Sequence, residues 1–205
     1  MRLVSYFYES NVFILEKNNE VLIVDCGIPA SEIKKHIGNK KVVGVLLTHG
    51  HFDHAYYVEE YANAFDTKIY LSEFAKEYLE DNKKNLSCDY EGLFLEIKDF
   101  SKFCFLSGNG KIKVGNFEVK YMQLGGHSKS DMGFLVDGEL FMGDVIIGRG
   151  IGRMDLYGGN KEEMLKSLKS LSKIDYQVMH CGHGEDYPKT SQDKVISTYI
   201  KFLSR

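Results

Sequence analysis

The 205 residues predict an α/β protein in one domain, residues 1–205, with two β-sheets packed face to face and helices outside. Three observations carry this. Period-2 and β-branched runs dominate the first third, helical periods interrupt them, and the same order of strands then helices returns in the second half. No repeats, Pro-rich linkers or low-complexity segments divide the chain.

Residues 3–8, 12–16 and 21–25 read as successive antiparallel strands joined at Glu9-Ser10 and Asn18-Asn19. Pro29 and Ser31 open a short helix that should stop at Gly38. The continuous apolar run 42–47 predicts a strand buried on both faces. A helix follows from Tyr56 to about Ala64, then a strand at 68–71, and Ser72 is placed to cap a helix through Glu80. Residues 81–102 show no period and read as an irregular excursion.

Further strands are expected at 103–106, 111–114, 117–124, 134–136 and 140–141, punctuated by Gly108-Asn109-Gly110, Gly115-Asn116 and Asp137-Gly138. Residues 144–159, with Gly148, Gly150, Gly152, Gly158 and Gly159, read as a loop. Asn160-x-x-Glu163 is a capping box for a helix with Met164, Leu165, Leu168 and Leu171 on one side. A strand at 176–179 and a closing helix from Thr190 to about Leu203 complete the chain.

Hydrophobic residues make up 43% and charged residues 27%, enough to bury a sizeable core without cross-links. A net charge of −3 with no basic stripe argues against a nucleic-acid partner. Cys26, Cys88, Cys104 and Cys181 form no C-x-x-C pair and read as reduced thiols. The start lacks an uninterrupted apolar h-region, and no run is long enough to span a bilayer. A cytoplasmic protein without a membrane partner is expected; the sequence gives no oligomeric state.

The chemistry concentrates after the buried strand, in His49-Gly50-His51-Phe52-Asp53-His54. A lone histidine is more often a hydrogen-bonded structural residue than a ligand. Four chelating residues within six positions reverse those odds, because a loop at a strand end lets all four converge. Imidazole and carboxylate bind zinc at roughly 2.0–2.2 Å. His127, Asp144 and His183 also fall just past predicted strands, among small residues. One zinc with an open position needs about three protein ligands. Seven ligands suit two divalent metals about 3.5–4 Å apart that share a carboxylate. Zinc is the first expectation, and iron or manganese would accept the same donors. His36, near a helix end among lysines, is explained by solvation and the helix dipole. His180, which ends a strand next to Cys181, is expected to be structural or to support the ligands from behind.

These pieces resemble the metallo-β-lactamase superfamily. The matching segments are Val24-Asp25-Cys26-Gly27, Thr48 to His54, Gly126-His127-Ser128, Phe141-Met142-Gly143-Asp144 and Gly182-His183-Gly184, in family order. The resemblance implies a four-layer αββα sandwich with the metals at one edge between the sheets. It assigns His49, His51 and His127 to one metal, Asp53, His54 and His183 to the other, and Asp144 to both. It places Asp25 behind the ligand loop as its support. Gly152-Arg153-Met154-Asp155-Leu156 is similar to a segment of small glyoxalase II-like members, where Arg153 and Asp155 would brace the site wall.

Within the family, Asp144 stands where lactamases with a cysteine zinc ligand carry that cysteine, and His51 where flavodiiron proteins typically use Glu. There is no room for the inserted domain of the nucleases. Only 21 residues follow Gly184, so the long C-terminal helical region that grips glutathione in larger glyoxalase II enzymes is not expected. The reading that remains is a compact hydroxyacyl-thioester hydrolase for a small-molecule thioester or ester. It would use a hydroxide bridging two metals, with Asp53 as the catalytic residue that orients it. A one-iron persulfide dioxygenase, a lactone or other ester hydrolase, and a non-enzymatic protein with an idle site are the alternatives. Many relatives carry Gly or a small residue at position 56 or 57, where this chain has Tyr56-Tyr57. One ring is expected on a buried helix face. The other, with Tyr56 the candidate, would line the pocket or bond substrate, and Tyr157 is a similar candidate.

Overall fold

Alternation along the strands sends neighbouring side chains to opposite faces of a sheet. In the strand Glu20–Val24, Leu22 and Val24 enter one core while Val21 and Ile23 enter another. A sheet apolar on both faces must be covered on both. The computed structural model, which describes residues 1–5 and 8–205, shows how.

The first sheet has the order β1 (Arg2–Val4), β2 (Asn11–Lys17), β3 (Glu20–Val24), β4 (Lys41–Leu46), β5 (Ile69–Ser72), β6 (Phe103–Leu106). β1, β2 and β3 are antiparallel, whereas β3 to β6 run parallel and need crossovers. Those crossovers carry α1 (Ala30–Ile37), then α2 (Phe52–Ala55) and α3 (Val58–Ala64), then α4 (Ala75–Leu79). The β2–β3 hairpin turns at Asn18 and Asn19, both at positive φ (48° and 63°), which is the backbone a two-residue hairpin of matching twist requires.

The second half forms β7 (Gly110–Val114), β8 (Phe117–Gln123), β9 (Met132–Val136) and β10 (Glu139–Phe141). A small ribbon follows, β11 (Ile146–Ile147) with β12 (Gly150–Ile151), then α5 (Lys161–Leu171), β13 (Val178–His180), β14 (Tyr187–Pro188) and α6 (Lys189–Leu203). The second sheet has the order β14-β13-β10-β9-β8-β7. Phe13, Leu22, Leu46, Phe117, Val119, Phe134 and Phe141 fill the space between the sheets. The outer face of the first sheet is covered by Ile33, Ile37, Val58 and Tyr61 from α1 and α3. Met164, Leu168, Leu171, Ile196 and Leu203 from α5 and α6 cover the second. The result is the expected αββα sandwich.

Several local boundaries differ from expectation. The strand expected at 3–8 is β1 at Arg2–Val4; Tyr6 and Phe7 lie outside the described residues. The helix expected from Tyr56 begins earlier, inside the ligand segment, and is broken into α2 and α3 by a turn at Tyr56 and Tyr57. Ser72 ends β5, accepting the Phe74 N–H at 3.2 Å, and α4 is only five residues long. The glycine-rich loop contains the β11–β12 ribbon, and β14 was not expected. Asn160 does cap α5, its side chain accepting the N–H groups of Glu162 and Glu163 at 2.9 and 3.0 Å. Glu163 reaches Lys166 at 2.7 Å and does not complete a reciprocal box.

Candidate metal centre

Five strand ends meet at one edge of the sandwich, and each is followed by a group of interest. Asp25 follows β3 and His49 follows β4, which are parallel neighbours with Val24 opposite Leu46. His127 follows β8. Phe141 of β10 pairs with His180 of the parallel β13, and Asp144 and His183 each lie three residues beyond that pair. The two sheets are tied beside them. Met132 donates its N–H to the Thr48 carbonyl at 2.7 Å, and Asn11 donates its N–H to the Gly182 carbonyl at 2.7 Å. Ser10 bridges to His183 in antiparallel fashion.

Two groups of side chains result, each able to converge on an ion: His49, His51 and His127, and Asp53, His54, Asp144 and His183. In the first, His51 Nδ1 lies 2.9 Å from His127 Nε2. In the second, His183 Nε2 lies 3.1 Å from Asp53 Oδ2, and His54 Nε2 lies 3.5 Å from Asp144 Oδ1. Asp144 Oδ2 stands between the groups, 3.4 Å from His183 Nε2 and 3.8 Å from His127 Nε2.

The backs of the rings are anchored. His54 Nδ1 donates to Asp25 Oδ2 at 2.9 Å, and His127 Nδ1 donates to the Arg153 carbonyl at 3.0 Å. Both acceptors can only accept, so each ring must carry its proton there and turn Nε2 to the centre. Asp25 also accepts from the Thr48 N–H at 2.8 Å and its hydroxyl at 2.9 Å, fixing the start of the ligand loop. It does so from a left-handed backbone, φ 65°, which Asp tolerates better than most residues. Asp131 holds the other loop, accepting the N–H groups of His127 and Ser128 at 3.0 and 2.8 Å. Gly182 is needed at the centre because a Cβ there would meet Asp144 and His54.

The charge balance differs between the groups. Burial and the neighbouring histidines push His49 well below the ordinary imidazole value, and burial above all takes His51 down to about 3. Both are held neutral, with lone pairs free. Burial opposes charge on His54 and His183 too, yet Asp53, Asp144 and Asp25 outweigh it at His54, which is raised well above its usual value. Hydrogen bonds to Asp144 and Asp53 bring His183 up to about 9. Burial likewise opposes charge on Asp53 and Asp144, but His54 and His183 hold both below the usual carboxylate range.

The donor set fits metal ions. His49 Nε2 and Asp144 Oδ1 are buried without a hydrogen-bond partner among the described residues, an expense that native interiors rarely accept. Cations resolve this by taking the lone pairs.

The cluster opens into a cavity of about 310 Å³. Tyr8, Phe52, Leu86, Asp89, Tyr90, Ile147, Arg153 and Leu156 line it together with His51, Asp53, His127, Asp144 and His183. Arg153 reaches the site through its backbone carbonyl. Its side chain is paired with Asp155 at 2.8 Å, and both side chains are 68% exposed. Asp155 does not line the cavity, so the bracing expected of this pair rests on the Arg153 backbone. Tyr56 and Tyr157 are also absent from the wall. The turn between α2 and α3 sends Tyr56 against the core under α3, edge-on to Tyr57. Tyr157 lies over Tyr78 and bonds Glu77 at 3.2 Å. Sequence reasoning missed Tyr8, Tyr90 and Asp131; Ser128-x-x-Asp131, a turn pattern, was the one available signal for the last. His36 lies 3.7 Å from Glu32 on the same helix. His180 lies between Glu139 and Asp186 at 3.1 and 2.9 Å, stacked on Phe141, as a structural residue would.

Comparison with known proteins agrees with this geometry. The chain is 32% identical over 193 residues to the "Probable metallo-hydrolase YqgX" of Bacillus subtilis (strain 168), covering 91% of this chain and 90% of that protein. It is 28% identical over 214 residues to the hydroxyacylglutathione hydrolase GloC of Haemophilus influenzae, covering 98% and 97%. The crystal structure of the BLEG-1 B3 metallo-β-lactamase superposes with a TM-score of 0.86 at 24% identity, covering 100% of this chain and 99% of that one, a likeness of fold. The family model of the metallo-β-lactamase superfamily matches residues 6–183, and the chain belongs to that superfamily.

Proposed function

We propose that this chain, as one domain over its 205 residues, is a hydrolase of small-molecule thioesters that works with two divalent metal ions. The observation that carries the reading is the position of Asp144, whose Oδ2 faces both His127 and His183 at 3.8 and 3.4 Å. In this reading His49, His51 and His127 would hold one ion, Asp53, His54 and His183 would hold the other, and Asp144 would serve both. Two such ions supply a hydroxide nucleophile near neutral pH and polarise the scissile carbonyl. Imidazole and carboxylate donors suit zinc first and iron or manganese also.

The chain's own groups do the rest. Asp53, which lines the cavity and is held anionic by His54 and His183, would orient the nucleophile and manage its proton. Asp25 and the Arg153 carbonyl keep the rings of His54 and His127 from turning. A thiol ionises near pH 8.5, so a thiolate leaves without a proton donor, and the site need not provide one. The name of the Haemophilus relative, which the chain matches along nearly its whole length, supports the thioester class. No helix among the described residues is long and apolar enough to cross a membrane, and all four cysteines are free, which suits a reducing cytoplasm.

Hydrolysis of a panel of acyl thioesters and lactones by protein of measured metal content tests this. Thioester turnover with two ions per chain is expected. Lactone turnover alone would move the activity to oxygen esters, and one iron per chain with oxygen uptake on a persulfide would replace it with an oxygenase.

A further inference from the structure

Three aromatic rings from three distant parts of the sequence meet at the cavity. Tyr8 and Phe52 lie 4.6 Å apart edge to face, Tyr8 and Tyr90 5.0 Å, and Phe52 and Tyr90 4.8 Å. Phe52 is buried, but Tyr90, which also lines the cavity, remains 45% exposed. A ring serving only the core would be covered. Leu86, Ile147 and Leu156 complete the apolar lining.

The segment that brings Tyr90 there is fastened to the ligand loop. Asn85 is fully buried, its amide donates to the carbonyls of Tyr78 and Leu95 at 2.9 and 2.8 Å, and its side-chain oxygen accepts the Ser87 N–H at 3.0 Å. Its own carbonyl accepts the N–H of Phe52 at 2.9 Å, inside the metal-binding segment. Between them Leu86 sits at φ 70°, a backbone region that a leucine enters only when its surroundings insist. Leu86 and Tyr90 therefore hold a set position above the cluster.

The polar lining points the same way. Beyond the ligand set, the charged residues lining the cavity are Asp89 and Arg153, and the guanidinium of Arg153 is committed to Asp155 through two bonds of 3.0 and 2.8 Å. A carrier bearing carboxylates would meet Asp89, and the Arg153 guanidinium beside it is already shared with Asp155.

We propose that this wall selects substrates by a flat apolar group on an uncharged carrier, with Tyr90 as the determinant, and that an anionic peptide thiol such as glutathione is disfavoured. The inference rests on the thioesterase reading for its kinetic test but not for its binding test. With metal-loaded full-length protein, kcat/KM is measured for acetyl and phenylacetyl thioesters of N-acetylcysteamine and for the same acyl groups on glutathione. In Tyr90→Ala the phenylacetyl-to-acetyl ratio should fall about threefold to tenfold, mainly through KM, the range expected for one aromatic contact. Tyr90→Phe should restore it, and Asp89→Lys should raise the glutathione substrates relative to the neutral ones.

In parallel, calorimetry compares the S-benzyl and S-ethyl thioethers of N-acetylcysteamine, which cannot be hydrolysed. The benzyl compound should bind more tightly, and Tyr90→Ala should remove the difference. An unchanged acyl ratio in Tyr90→Ala, or a wild-type preference for the glutathione substrates over the neutral ones, overturns the proposal. If no thioester is cut but the benzyl preference holds and depends on Tyr90, the thioesterase reading fails and the wall stands. If neither the acyl ratio nor thioether binding depends on the ring, the wall fails whatever the enzyme hydrolyses.

Discussion

Asp25 Oδ2 lies 2.9 Å from His54 Nδ1, and both side chains are buried. This one contact decides which nitrogen of His54 faces the cluster, and the same carboxylate holds Thr48 at the head of the ligand loop. Asp25→Asn should keep the fold, since Asn also accepts the left-handed backbone. It should lower metal affinity or activity about 10–100-fold, the usual loss when the partner behind a metal-binding histidine is removed. Titration of metal into the metal-free variant checks it, and wild-type affinity would show that Asp25 is only a turn residue.

Asp144→Ala should lose metal and activity while circular dichroism stays close to wild type. Among the described residues, Asp144 is the carboxylate that faces both groups. Metal analysis of the purified variant is the check, and full occupancy would refute a shared ligand at this position.

His36→Ala should be nearly silent in activity and stability. The ring lies on the surface of α1 with Glu32 3.7 Å away, and exposed pairs of this kind contribute about 0–1 kcal/mol. A large loss of activity would place His36 in the chemistry.

Tyr78→Phe should destabilise by about 0.5–1.5 kcal/mol for each part-buried hydrogen bond lost, the usual net worth of such a bond. The Tyr78 hydroxyl accepts the Lys129 N–H at 3.0 Å and donates to the Tyr157 carbonyl at 3.2 Å, tying together two loops that flank the centre. Burial pushes this phenol up to about 12, so it remains a protonated donor when urea unfolding is followed near neutral pH. A midpoint equal to wild type would contradict the role.

What could be read in advance followed from how locally each feature is encoded. His49 to His54 are contiguous and follow a run of buried apolar residues, so their convergence needed no knowledge of the fold. The sheets were legible from alternation, as at Leu22 and Ile23. The segment 81–102 was not legible because its order comes from single side chains. Asn85 and Ser87 satisfy backbone groups of Tyr78 and Leu95 and leave no periodic trace. Tyr56 misled for the opposite reason: it sits two residues from His54, but the break between α2 and α3 turns it to the core. Proximity in sequence pointed to four of the candidate ligands and a place just past a strand to the other three; the direction of the helix decided the wall.

The central claim is a two-ion hydrolytic centre, and the direct measurement is metal content against thioester turnover for protein purified without added metal and then titrated. Activity should rise to a plateau at two ions per chain and vanish on chelation. A plateau at one ion per chain, or two bound ions with no hydrolysis of any thioester or lactone, would contradict it.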